Sequence, residues 1–385
     1  MELRRSSRLQ HLVQSDIRTM TRECVAVGGI NLGQGVCDMP TPPLVRDAAI
    51  QAIQDRKSLY SYPEGIVEIR ELIAEKLERD NKLKADPNKQ ITVTIGATGA
   101  FACTLVGLME PGDGILIFEP YYGYHLNCAI ASGMKPQFIP LEAPAFEITE
   151  AAIEASITPE SKAIIICTPA NPSGKMWTRA ELEIIDRVAS KHDLLVITDE
   201  IYEYIRYDGR EHISPATVGN LAERTVTIMG LSKTFSITGW RLGYAIAPEH
   251  MSPAITLVND LYYVCSPTPL QHGVAAGFRS PQSYFDDLQT TYQKKRDLFC
   301  GTLTKIGFTP IIPEGAYYVL CDVSKLGHHD SKAAAMQILN EAKVAGVPGR
   351  SFYQSELGND IVRFCFAAED EAIEQAAAQL QKAFG

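Results

Sequence analysis

Short apolar runs rich in β-branched residues recur through the middle of the chain, at 91–95, 115–118, 163–167, 194–198, 225–229 and 244–247. Each has the length of a strand. Runs such as Ala163-Ile164-Ile165-Ile166 are apolar at every position, the pattern of a strand buried on both faces. Between most of them lie longer segments with helical spacing. In 181–188, for instance, Leu182, Ile184, Ile185 and Val188 are apolar while Asp186 and Arg187 face elsewhere. Strands alternating with helices predict an α/β fold, with a mostly parallel central sheet of about seven strands covered on both faces. After residue 280 the texture changes. Charged amphipathic stretches at 283–303, 331–343 and 370–383 flank two strand candidates, 316–320 and 361–366. This predicts a smaller α+β domain of residues 15–46 and 281–385, a large domain of 47–280 and an N-terminal arm of 1–14.

Composition narrows the function. With 45% hydrophobic and 21% charged residues, 385 residues are enough for a large domain and a smaller one. A formal charge of −10 speaks against nucleic acid as a partner, because phosphate backbones need a basic footprint. Small anions, which need only one or two local cations, stay open. None of the nine cysteines falls at C-x-x-C spacing, so free thiols in a reducing compartment are expected, with neither a disulfide framework nor a metal site. Arg4, Arg5 and Arg8 precede no apolar segment, and no apolar stretch reaches membrane-spanning length. A cytoplasmic protein without a membrane partner is the expectation.

In open α/β sheets ligands sit beyond the carboxyl ends of the strands, so chemistry-bearing residues should follow the apolar runs. They do: Thr98, Tyr121-Tyr122, Asn171, Asp199 and Lys233 follow the first five in turn. Lys233 stands in Ser232-Lys233-Thr234-Phe235-Ser236-Ile237-Thr238-Gly239-Trp240-Arg241. A lysine there can form an imine with a carbonyl cofactor, and its pKa falls readily on burial. Arg241 can hold a phosphate. Gly96-Ala97-Thr98-Gly99-Ala100 opens a helical stretch, whose backbone N–H groups and dipole suit an anion. Val362-Arg363-Phe364-Cys365-Phe366 sets an arginine in an apolar strand, a position that calls for an anionic partner, either a ligand or an internal carboxylate. A helix cap is the lesser alternative for Asp199, and Asn171-Pro172-Ser173-Gly174 could be a plain turn.

The run around Lys233 closely resembles the pyridoxal-phosphate lysine signature of class I/II aminotransferases (fold type I), and motifs spread from about residue 15 to 367 agree with it. The resemblance implies pyridoxal 5'-phosphate as cofactor, held by Lys233. Its phosphate would be bound by the Ala97-Thr98 loop, Ser232, Arg241 and Tyr60 from a partner subunit, with Tyr62 as competitor. Asp199 would face the ring nitrogen, with Glu200 the weaker candidate. Tyr202 and Asn171 would bond the phenolic oxygen, and Tyr122 would stack on the ring. Arg363 and Asn171 would hold the substrate carboxylate, near the backbone of Gly35.

The implied activity is ping-pong transfer of an amino group from an L-amino acid to a 2-oxo acid, in a homodimer. Lys233, Asp199 and Tyr202 would be its catalytic groups. The same parts would serve a β-lyase, or an amino-acid oxidase or cyclase; a non-catalytic amino-acid sensor is the remote alternative. Three features depart from common family patterns. Val36-Cys37 follows Gly35 where an aromatic and a proline are common, Gly230 stands three residues before the lysine, and Gly99 replaces a larger residue. They leave the cofactor site intact and the substrate open. Residues 250–278 hold no arginine, Arg18 is a candidate for an acidic group, and Leu32-Gly33-Gln34-Gly35 resembles aromatic- and glutamine-using relatives. A neutral or aromatic donor, with 2-oxoglutarate or pyruvate as acceptor, is expected.

Overall fold

A computed structural model describes Ser6, Arg8, Leu12 and residues 16–385; the remainder of the expected arm lies outside the described residues. The central sheet has seven strands, in the order Ile91–Ile95, Leu242–Ile246, Thr225–Gly230, Leu195–Asp199, Ser161–Cys167, Gly114–Glu119 and Lys135–Pro140. Only Leu242–Ile246 runs against its neighbours. Six of the seven were legible as apolar runs. The seventh, Lys135–Pro140, is an edge strand with one fully buried position, Ile139, so it carries no apolar run to find.

Both faces of the sheet are covered. Ala100, Phe101, Leu126 and Ile255, from helices Gly96–Leu108, Gly123–Ala131 and Ser252–Tyr263, pack with Ile115, Ile165 and Ile197 on one face. On the other, Leu182, Ile185 and Val188 of helix Arg179–His192 meet Leu116, Ile164 and Val196. Strand residues therefore alternate between two cores, and the runs are apolar throughout. A capping box at Thr178 and Glu181 starts this helix one turn before the apolar spacing begins.

The C-terminal region folds on a four-stranded sheet, Val347–Pro348, Ile361–Cys365, Tyr318–Asp322 and Thr309–Ile311. Helices Gln282–Lys305, Ser331–Ala342 and Asp370–Phe384 supply the amphipathic cover that was read from the charges. The N-terminal helix Asp16–Ala26 adds Met20 and Cys24 to this core, and Ile30–Asn31 pairs with Val344–Ala345. Helix Pro43–Gln54 instead packs on Thr268–Gly277, beside the large sheet.

Candidate active site

The carboxyl ends of four central strands and the amino end of Leu242–Ile246 converge on one cleft. Ala97, Thr98, Tyr122, Tyr124, His125, Asp199, Ser232, Lys233, Thr238 and Arg241 line it, around about 670 Å³ of space that is partly open solvent. Strand pairing explains much of this arrangement. Ile95 lies opposite Leu242, so the loop at Gly96 faces Arg241. Gly96 has a φ of +67°, and a Cβ there would press to 2.7 Å from the Arg241 guanidinium. The helix that starts at Gly96 has no side-chain cap, which leaves its first N–H groups free to meet a ligand. Arg241 itself is left-handed at φ +55° and donates to the Thr238 carbonyl at 3.1 Å.

Asp199 is the last residue of its strand, hydrogen-bonded between Cys167 and Ile228, where the sequence placed it just beyond. Its Oδ2 accepts from His125 Nε2 at 2.8 Å and its Oδ1 from the Ile201 N–H at 3.3 Å, so a capping contact exists beside the cleft-facing one. Glu200 is turned away from the cleft. It bonds Thr198, Ser214 and His212 instead, which removes it as a ring partner.

Lys233 donates to the Gly35 carbonyl at 3.1 Å and lies 5.4 Å above the Tyr317 ring centroid. Burial pushes its pKa below the ordinary lysine value, and the charge of Arg241 adds to this. The Cys365 thiol nearby, pushed up to about 12 by burial, is uncharged at neutral pH.

Asn171, Tyr202, Gly35 and Arg363 form an adjoining cluster. Arg363 is buried and has no carboxylate partner among the described residues. It donates to Asn171 Oδ1 at 2.9 Å and to the Gly33 carbonyl at 2.6 Å, between the rings of Tyr318 and Phe352. Its Nε has no partner. The internal ion pair is thus absent, and the buried charge keeps one donor for an anion. The Asn171–Pro172 bond is cis. Tyr202 donates to the Tyr318 hydroxyl at 3.2 Å.

Gly35 is required by Tyr318. A Cβ there would lie 1.8 Å from that hydroxyl, so the glycine leaves room for a ring, and its carbonyl receives Lys233. Tyr60 is not brought to the cleft within one chain; it is 83% exposed, and Tyr62 69%. Arg18 is exposed on its helix and does not line the cleft.

Two contributors were missed in the sequence. His125 had a readable signal, since it follows a strand-end aromatic and stands in the first turn of helix Gly123–Ala131. Tyr318 opens the strand Tyr318–Asp322 directly after Tyr317, and the two ring centroids lie 4.9 Å apart; the pair of tyrosines at a strand entry was its readable signal.

The cleft fits pyridoxal phosphate. An anion cradle that a Cβ at Gly96 would fill stands at one end, a buried carboxylate at the other, and a lysine of lowered pKa between them. Residues 27–380 match the family model described as aminotransferase class I and II. The chain is 33% identical to aromatic-amino-acid aminotransferase 2 of Thermococcus litoralis, over 98% of this chain and 97% of that one. It is 34% identical to the aspartate aminotransferase of Pyrococcus abyssi, with the same coverage. The solved N-succinyldiaminopimelate aminotransferase from Mycobacterium tuberculosis superposes with a TM-score of 0.95 at 30% identity, over 99% of this chain and all of that one.

Proposed function

The chain belongs to the class I and II aminotransferases, enzymes that move an amino group from an amino acid to a 2-oxo acid with pyridoxal phosphate, and from that premise we propose which of its residues perform each part. The observation that carries the assignment is Lys233, held at the cleft between Arg241 and Asp199 with its pKa lowered by burial. Bound pyridoxal phosphate supplies an aldehyde for amines and a ring that accepts electron density.

Ala97, Thr98, Ser232 and Arg241 hold the phosphate. Asp199, oriented by His125, would keep a proton on the ring nitrogen, and Tyr122 would cover the ring face. Asn171 and Tyr202 reach the phenolic oxygen. Arg363 fixes the substrate carboxylate through its free Nε, which aims the α-hydrogen at Lys233. As a neutral amine at the cleft, Lys233 would accept and return the proton of the substrate α-carbon.

A buried guanidinium without a carboxylate costs several kcal/mol unless an anion arrives, so binding strength is concentrated on that one group of the substrate. Among the described residues, no cation besides Lys233 and Arg241 lines the cleft, and both have other work. This supports a neutral or aromatic donor, with 2-oxoglutarate or pyruvate as acceptor. No observation favours the lyase, oxidase, cyclase or sensor readings. We assign residues 15–46 and 281–385 to the small domain and 47–280 to the large one; the packing of Met20 and Cys24 in the C-terminal core supports this.

Tyr60 reaches a phosphate only from a second copy, so the working unit is a homodimer, acting on small molecules in the cytoplasm. The test is a visible spectrum of protein loaded with the cofactor. The band should be lost on adding an amino acid and restored by a 2-oxo acid, with no band in Lys233→Ala. Release of pyruvate and ammonia, or uptake of oxygen, would move the assignment to lyase or oxidase.

A further inference from the structure

Glu200 has no place in the scheme above, yet it is the most enclosed carboxylate beside the cleft, with no exposed surface. It follows Asp199 directly, and the two side chains leave the strand end in opposite directions. Three donors converge on it. Oε1 accepts from Thr198 Oγ at 2.7 Å and from Ser214 Oγ at 3.0 Å, and Oε2 accepts from His212 Nε2 at 2.7 Å. All three donor side chains are themselves buried. Burying a carboxylate costs several kcal/mol unless its oxygens are satisfied, and apolar residues commonly fill such a place at less cost.

The positions of the donors show what this carboxylate does. Thr198 immediately precedes the pair, while His212 and Ser214 belong to the segment that returns after the turn at 199–205. Glu200 therefore ties the strand end to the returning chain, on the side away from the cleft. The turn has other fastenings. Backbone bonds run from Glu200 N–H to the Ile228 carbonyl at 2.9 Å, from Thr168 N–H to the Asp199 carbonyl at 3.0 Å, and from Ile205 N–H to the Tyr202 carbonyl at 2.7 Å. Side-chain bonds join His125 to Asp199, Tyr202 to Tyr318 and Tyr204 to Asp80. None of these reaches the 212–214 segment, which Glu200 holds. Glu203, on the same turn, is occupied by Lys76 and Asn81.

We propose that Glu200, held by His212, Ser214 and Thr198, is a positioning residue that fixes Asp199 and Tyr202 in the cleft. The proposal rests on the reading of Asp199 as the partner of the ring nitrogen. It acts through placement: a carboxylate that shifts by about 1 Å loses up to about a hundredfold in rate.

The experiment compares Glu200→Ala, Glu200→Gln, Ser214→Ala and Asp199→Asn, each loaded with pyridoxal phosphate. Visible circular dichroism of the bound cofactor, cofactor dissociation constant, kcat, KM and Tm are measured. Glu200→Ala is expected to bind the cofactor with a diminished dichroic band and to lower kcat by about ten- to a hundredfold, with KM changed less than about threefold. Glu200→Gln keeps an oxygen for Thr198 and Ser214, and His212 can present its other tautomer. It should recover the band and bring kcat to within about threefold of the parent protein.

Ser214→Ala removes a single donor. It should shift the band in the same direction, which keeps the test decisive if the alanine at 200 does not fold. A fall in Tm with an unaltered band and kcat in both alanine variants would overturn the proposal. So would a Gln variant as impaired as the Ala variant, which would make the charge the active property. Asp199→Asn separates the two levels: no effect there removes the reading of Asp199, whereas a large effect there with none at Glu200 removes the positioning role alone.

Discussion

Arg363 shows how much a single position can disclose. An arginine inside an apolar strand was legible as an anion site from the sequence alone, because charge in such a place needs a partner. Which partner was not legible, since Asn171 stands 192 positions away. The guanidinium is held by an amide and a carbonyl with its Nε free, and in the proposed role its planar fork would meet the substrate carboxylate. Lysine cannot reproduce that fork. Arg363→Lys should therefore raise the KM for the amino acid by about 100-fold, the equivalent of one or two charge-assisted bonds, with a smaller change in kcat, as steady-state kinetics would show. Lys233 lends itself to a test of burial. Its folded pKa lies below the ordinary value of 10.5, so the folded protein without cofactor binds fewer protons than the unfolded chain between those two values. Stability from this group is lowest below the folded pKa and rises as pH climbs towards 10.5. Lys233→Met should melt at a higher temperature than the parent protein at pH 7, and the gap should narrow by pH 10 in calorimetric scans without cofactor. An equal gap at both pH values would remove burial as the cause.

Among the elements, the junction of strand Ile91–Ile95 with helix Gly96–Leu108 carries the anion site. Its sequence, a glycine between a β-branched run and a helix start, was readable as a strand-to-helix turn, but its function depends on the antiparallel neighbour. Because Ile95 pairs with Leu242, the turn and Arg241 close on each other. Gly96→Ala combines a left-handed φ of +67°, costing about 1–2 kcal/mol, with a Cβ driven into the guanidinium. A lower Tm and a cofactor dissociation constant raised about tenfold should follow, the second measured by titrating the protein with pyridoxal phosphate. The central strands were legible because burial on both faces makes them apolar throughout. The edge strand Lys135–Pro140 was not, since its pairing comes from backbone bonds to Gly114–Glu119 and it carries two prolines, tolerated only because it lies at the edge.

For the whole molecule, one group of exposed apolar residues stands together. Leu59, Tyr60 and Tyr62 lie beside Leu257, Leu261, Tyr262 and Val264, and Thr268 and Asn259 bond the loop that carries the first three. Such a patch on one face suits the contact between copies proposed above. Leu261→Asp, 72% exposed in one chain, should leave the monomer folded while shifting sedimentation to the monomer and weakening cofactor binding through loss of the partner's Tyr60. A variant that remains dimeric with full cofactor affinity would place the interface elsewhere. The sequence by itself determined the alternation of strands and helices and the order of Thr98, Tyr122, Asn171, Asp199 and Lys233 on successive strand ends, because side-chain periodicity and strand length are local properties. It also marked Arg363 as a charge that calls for an anionic partner. Only the tertiary structure decided that Glu200 turns away from the cleft, that His125 reaches Asp199, that Tyr318 fills the space over Gly35, and that Lys233 rests on the Gly35 carbonyl. The last of these joins residues 198 positions apart, and the His125 contact spans 74. Periodicity carries no information at that range, and packing against a common core is what brings such groups together.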